Sequence, residues 1–140
     1  MEDKSHKTFT LEIPSDSVYL AKVEKLSSKV AKIAKLNESD SDDLGIVTTE
    51  LVNNAIHHGN NDDKRKKVYI CFILNSEMIE LSIRDEGSGF NPEKLRDPLA
   101  PENLMSESGR GIFLIRSLMD SLAFKFDNGG TEVIITKKIN

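Results

Sequence analysis

The chain has 140 residues, a net charge of −4 at neutral pH, 38% hydrophobic and 30% charged residues. That length suits one domain burying about two-thirds of its extended surface around a single core, and the acidic balance excludes duplex binding driven by clustered cations. There is no apolar run of about 18 residues and no apolar stretch in Met1–Lys7, and Cys71 stands alone, which excludes an internal disulfide or a Cys-based zinc cluster. The expectation is a single domain over 1–140, in the cytoplasm, with neither nucleic acid nor membrane as a partner.

From Lys7 to Ile13, Phe9, Leu11 and Ile13 alternate with polar residues and Pro14 closes the run, which predicts a strand. From Ser15 to about Leu36, the set Tyr19, Val23, Leu26, Val30 and Ile33 recurs at intervals of three and four, predicting a helix with one buried seam. Lys22, Lys25, Lys29 and Lys32 border that seam. Their aliphatic stems suit a solvated face laid over the core; docking of an acidic partner is the alternative. Asn37 to Asp43 is a polar link in which Ser39 and Asp42 form a capping-box pattern. A second helix runs to about His58 and stops at Gly59-Asn60-Asn61, a left-handed terminator.

After a charged turn from Asp62 to Lys67, Val68 to Leu74 and Met78 to Arg84 are β-rich runs joined through Asn75-Ser76-Glu77, a hairpin. Asn91 to Ser108 holds three of the four prolines and lacks periodicity. It reads as a long loop, and loops of that length in compact domains carry function or lack order. Gly111 to Asp120 reads as a helix with Ile112, Ile115 and Met119 on one side. Leu122 to Phe126 and Glu132 to Lys138 are strands joined by Asp127-Asn-Gly-Gly130, a strong hairpin signal. Helices early and strands late predict an α+β fold, a largely antiparallel sheet with helices on one face.

Three segments could carry chemistry. On the second helix, Glu50, Asn53, Asn54 and His57 fall within an arc of roughly 100°, while Leu44, Val47, Leu51 and Ala55 face the sheet. A carboxylate and a carboxamide one turn apart can share a metal, a water or a polar ligand, although a solvated polar face has the same pattern. Next, Asp85-Glu-Gly-Ser-Gly-Phe90 follows a β-rich run, so an acceptor at a strand end stands beside backbone that a ligand can approach closely. Third, Ser108-Gly-Arg-Gly-Ile112 opens an apolar helix, where free N–H groups and the helix dipole favour an anion. Leu114 occupies the place of the third glycine of a dinucleotide fingerprint, and the chain contains no Walker A sequence.

In this order and spacing, the helix Glu-x-x-x-Asn, the Asp-x-Gly-x-Gly, the loop-to-helix Gly-x-Gly and the final Gly130-Thr131 resemble the four boxes of the Bergerat, or GHKL, ATPase superfamily. The resemblance spans about 46–136. It implies a two-layer α/β sandwich with a largely antiparallel mixed sheet, binding ATP and Mg²⁺. By resemblance, Asn54 would hold the Mg²⁺ that bridges the phosphates. Asp85 would accept a hydrogen bond from the adenine amino group, supported by Thr131, and Gly87 and Gly89 would let the backbone pass the base. The ATP lid would span about 90–110, with Gly109, Arg110 and Gly111 meeting the phosphates. His58 matches a position often occupied by His in the anti-sigma-factor group.

Glu50 would be the general base. Histidine kinases usually have Asn there, because an imidazole nucleophile needs no base; a serine hydroxyl or a water does. The length leaves no room for a transducer domain, and none of the three histidines suits a phosphoacceptor. The resemblance therefore narrows to the anti-sigma-factor serine kinases. It implies phosphorylation of a serine on an antagonist of the STAS fold, sequestration of a sigma factor, and a homodimer. A binding module that holds ATP or ADP and acts by sequestration alone remains the alternative.

Overall fold

The computed structural model describes residues 6–87, 107–127 and 129–139. Strand β1 (Lys7–Pro14) leads through a 3₁₀ turn, Ser17–Tyr19, into helix α1 (Leu20–Ile33). The Asp16 carboxylate caps that turn by accepting from Val18 N–H. Helix α2 (Glu38–Asn54) passes directly into a π-helical segment, Ala55–Gly59. Strands β2 (Lys67–Leu74) and β3 (Met78–Arg84) follow, then helix α3 (Glu107–Leu118) and strands β4 (Ser121–Asp127) and β5 (Gly130–Lys138).

The strands form one sheet in the order β1-β2-β3-β5-β4. Every pairing between described strands is antiparallel, so the sheet is not mixed there. The register aligns rows of apolar residues. Leu11, Ile70, Ile83, Val133 and Phe124 lie across one row, and Phe9, Phe72, Leu81, Ile135 and Leu122 across the next. The helices cover this face, sealing Val23 and Val30 of α1, Leu44, Val47 and Leu51 of α2, and Ile115 of α3 at 2% exposure or less. Each such side chain contributes about 1.5–3 kcal/mol on burial. Among the described residues no helix covers the other face, where Thr10, Cys71, Ser82, Ile134 and Ala123 form one row.

Some boundaries differ from the sequence reading, each for a local reason. Helix α2 is capped by Asn37, whose side chain accepts from Asp40 N–H at 2.7 Å, rather than by Ser39 with Asp42. Lys35 ends α1 with φ of 60°. The Leu36 N–H then reaches Ala31 O at 3.0 Å, a Schellman-type closure without glycine that leaves Asn37 in extended backbone at the cap. Ile33, expected in the buried seam, sits at its margin with 36% exposure. Helix α3 begins at Glu107, earlier than expected, placing Gly109, Arg110 and Gly111 in its first turns. Residues 91–106 of the expected loop lie outside the described residues.

Candidate functional site

Three segments distant in sequence meet at one end of the core: the π turn after α2, the end of β3 and the start of β5. Asp85 follows β3 directly and is 5% exposed. Its N–H donates to Thr131 O at 3.0 Å, and its Oδ1 accepts from the N–H groups of Gly87 at 2.9 Å and Thr131 at 3.0 Å. A carboxylate this deep needs such donors, since an unpaired charge out of water is strongly disfavoured.

Glycines close around it. A Cβ on Gly59 would lie 2.0 Å from Asp85 Oδ2, one on Gly87 3.1 Å from Oδ1, and one on Gly130 2.2 Å from the Asp85 carbonyl oxygen. Gly130 also has φ of +136°, a region that side chains avoid. Gly59 therefore serves close packing against Asp85, rather than the left-handed helix end expected of it. That conformation falls on Asn61 and Asp62, with φ of 52° and 60°.

Beside Asp85 opens a cavity of about 230 Å³. Leu51, Ile83, Val133 and Phe124 supply apolar walls, and Asn54, His58 and Thr131 supply polar groups. Whole ligand sites run to roughly 300–1,000 Å³, so this cavity seats one end of a ligand. An apolar slot with a fixed carboxylate at its base suits a flat heteroaromatic ring that presents an N–H.

Of the residues singled out in the sequence, Asn54, His58, Asp85 and Thr131 share this cavity, and Gly87 packs against Asp85. Glu50 does not line it. It lines a groove of about 660 Å³ between α1 and α2, together with Glu24, Ser28, Asp42, Gly45 and Thr49. Gly89 lies outside the described residues, as do the side chain of Arg110 and most of the expected lid. His57, grouped with Asn54 by helical arc, instead turns its Nδ1 to Asp62 Oδ1 at 2.5 Å on the exposed side.

Sequence reading missed Asn60, which appeared only as a turn residue. It is fully buried. Its Nδ2 donates to Ser15 Oγ at 2.8 Å and to Lys67 O at 3.0 Å, and its Oδ1 accepts from Glu86 N–H at 2.7 Å. The single cue was its place directly after Gly59. In the adjoining loop, side-chain hydrogen bonding from Arg65 brings the Asp63 carboxyl down to about 2. On the sheet face away from the helices, burial pushes the Cys71 thiol up, with Glu80 and Glu132 adding to it, which disfavours the thiolate.

Among the described residues, no group of three or more His, Cys, Asp or Glu could hold a metal ion. A cation held mainly by water and phosphate oxygens would need few protein ligands, and the Asn54 carboxamide at this cavity could supply one oxygen to it. No helix among the described residues is long and apolar enough to cross a membrane.

One antiparallel sheet with helices on a single face, carrying a strand-end carboxylate beside a helix carboxamide, defines the α+β Bergerat class. Residues 13–137 match the histidine kinase-like ATPase domain family, and the chain belongs to it. Serine-protein kinase RsbW of Bacillus velezensis is 29% identical over 136 residues, covering 93% of this chain and 84% of that protein. RsbW of Listeria monocytogenes is 26% identical over 141 residues, covering 96% and 89%. Among solved structures, the RsbU and RsbW domains of Rv1364c from Mycobacterium tuberculosis superpose with a TM-score of 0.70 at 16% identity. That match covers 95% of this chain and 32% of that one. The catalytic domain of histidine kinase ThkA gives a TM-score of 0.61 at 16% identity, covering 94% and 98%. At those identities the structures report the fold.

Proposed function

We propose that this protein is an ATP-dependent serine kinase of the anti-sigma-factor kind, which phosphorylates a serine on a STAS-type antagonist and sequesters a sigma factor as a homodimer. The observation that carries the reading is the convergence of Asp85, Thr131 and Asn54 on one apolar-walled cavity. It is supported by relatives named serine-protein kinase RsbW over most of the chain.

In this reading the adenine ring fills the slot between Leu51, Ile83 and Val133 and gives its amino hydrogen to the Asp85 carboxylate. Asn54 would hold the Mg²⁺, which would supply charge neutralisation on the transferring phosphoryl group. The N–H group of Gly109, in the first turn of α3, lacks an intrahelical acceptor and suits a phosphate oxygen. Glu50 stands one turn before Asn54, about 6 Å along the axis. The partner's serine reaches it from the α1–α2 groove, and Glu50 accepts the hydroxyl proton as the oxygen attacks the γ-phosphorus, while the bond from that phosphorus to the β–γ bridging oxygen breaks and ADP leaves.

Two substitutions test the assignment. Glu50→Ala should leave ATP affinity within a few-fold and abolish transfer of labelled phosphate to a STAS partner; parallel loss of both would make Glu50 a structural residue. Asp85→Asn should erase the preference for ATP over GTP in calorimetric titration, and an unchanged preference would remove the adenine contact.

A further inference from the structure

The hydrogen bonds of Asn60 belong to a closed circuit that the mechanism above does not use. Asn60 Nδ2 donates to Lys67 O, Lys67 N–H donates to Glu86 Oε1 at 2.5 Å, and Glu86 N–H donates back to Asn60 Oδ1. Three segments are thereby joined: the turn after the π segment, the first residue of β2 and the residue between Asp85 and Gly87. Asn60 has no exposed surface, so each of its bonds lies where water does not replace a lost partner.

We infer that Asn60 and Glu86 are positioning residues for nucleobase recognition, clamping the Asp85-Glu86-Gly87 elbow so that the carboxylate meets one base and rejects another. The inference rests on the adenine reading of Asp85. The physical case is that Asp85 Oδ1 is oriented by the N–H groups of Gly87 and Thr131, and Glu86, the residue just before Gly87, is held by two bonds from outside its own strand. One bond fixes the Glu86 backbone and the other fixes its side chain. Releasing either lets Gly87 drift, and the carboxylate loses a donor that sets its direction. Discrimination between bases depends on that direction, since a displaced carboxylate no longer pairs with an amino group or repels a carbonyl oxygen at the same place. Ser15 forms a side branch: its Oγ accepts from Asn60 Nδ2 and donates to Lys66 O at 2.8 Å, touching neither Glu86 nor Gly87.

The test compares ATP with GTP, using inorganic triphosphate as a competitor that reads the phosphate end alone. Asn60→Ala and Glu86→Ala should each lower the ATP-to-GTP affinity ratio about tenfold, the scale of one buried hydrogen bond to a charged or fully enclosed group. Triphosphate affinity should stay within about twofold of wild type, because that end lies beyond the circuit. Glu86→Gln retains an acceptor for Lys67 N–H and should keep the ratio; Ser15→Ala should lower the melting temperature and also keep it. If Asn60→Ala does not accumulate as folded protein, Glu86→Ala decides, its side chain being partly exposed. A wild-type ratio in Glu86→Ala overturns the inference. So does an equal fall in Ser15→Ala, or a parallel fall in triphosphate affinity, either of which marks general loosening. Absence of ATP preference in the wild-type protein is a separate failure, that of the adenine reading itself.

Discussion

The two halves of α2 and its extension are built to opposite tolerances. At the C-terminal end, Gly59 presses on Asp85 so closely that a methyl group would overlap the carboxylate. In the N-terminal half, a Cβ on Gly45 would meet nothing within 4 Å, because that residue faces the open α1–α2 groove. The same residue type is therefore forced in one place by packing and unforced in the other. A ligand seat made of backbone requires the first condition; a surface that another chain could approach is compatible with the second.

Substitutions along this one element can break the contrast. Gly59→Ala carries the largest expected effect, a loss of about 2–3 kcal/mol from overpacking, read as a lower urea midpoint together with loss of ATP-dependent stabilisation. Normal stability and nucleotide binding in that variant would show that the Asp85 cage is loose. Asn37→Ala removes the cap at the far end and should cost about 1 kcal/mol while leaving ATP affinity unchanged; altered affinity would show the two ends to be coupled. Gly45→Ala should raise stability by about 0.5–1 kcal/mol, since the helix gains propensity and meets no obstacle. A destabilised Gly45→Ala would mean that the groove is closed in solution.

Much of the fold was readable because alternation and helical spacing are set by the same burial that builds the core. Met78–Arg84 matches the expected strand at both ends, and Leu44, Val47, Leu51 and Ala55 pack as their spacing implied. What failed to read were choices made by tertiary contact. Asn37, Ser39 and Asp42 can all cap a helix, and the left-handed Lys35 settled on the first. The widening of the helix at Ala55–Gly59 leaves no mark in the sequence, yet it accompanies the turn of His57 away from Asn54 towards Asp62. Asn60 looks like any turn residue until Ser15, Lys67 and Glu86 stand around it. Within the candidate site, the closeness of Asp85 and Gly87 was legible because they stand two residues apart at a strand end, although the same pattern also makes an ordinary turn. The opposition of Gly59 and Gly130 across it was not, since it depends on how distant segments cross.

The circuit through Asn60 has a bearing on how the molecule comes into being. It joins positions spread from Ser15 to Glu86, and β5 must add Thr131 before Asp85 is fully enclosed. No short stretch of chain can pre-form such a seat, so it arises only after the long-range strand pairings have closed. A half-finished chain has nothing with which to hold a nucleotide, and the ligand would stabilise completed molecules alone. The same nucleotide that occupies the seat would thereby deepen the stability of the finished fold.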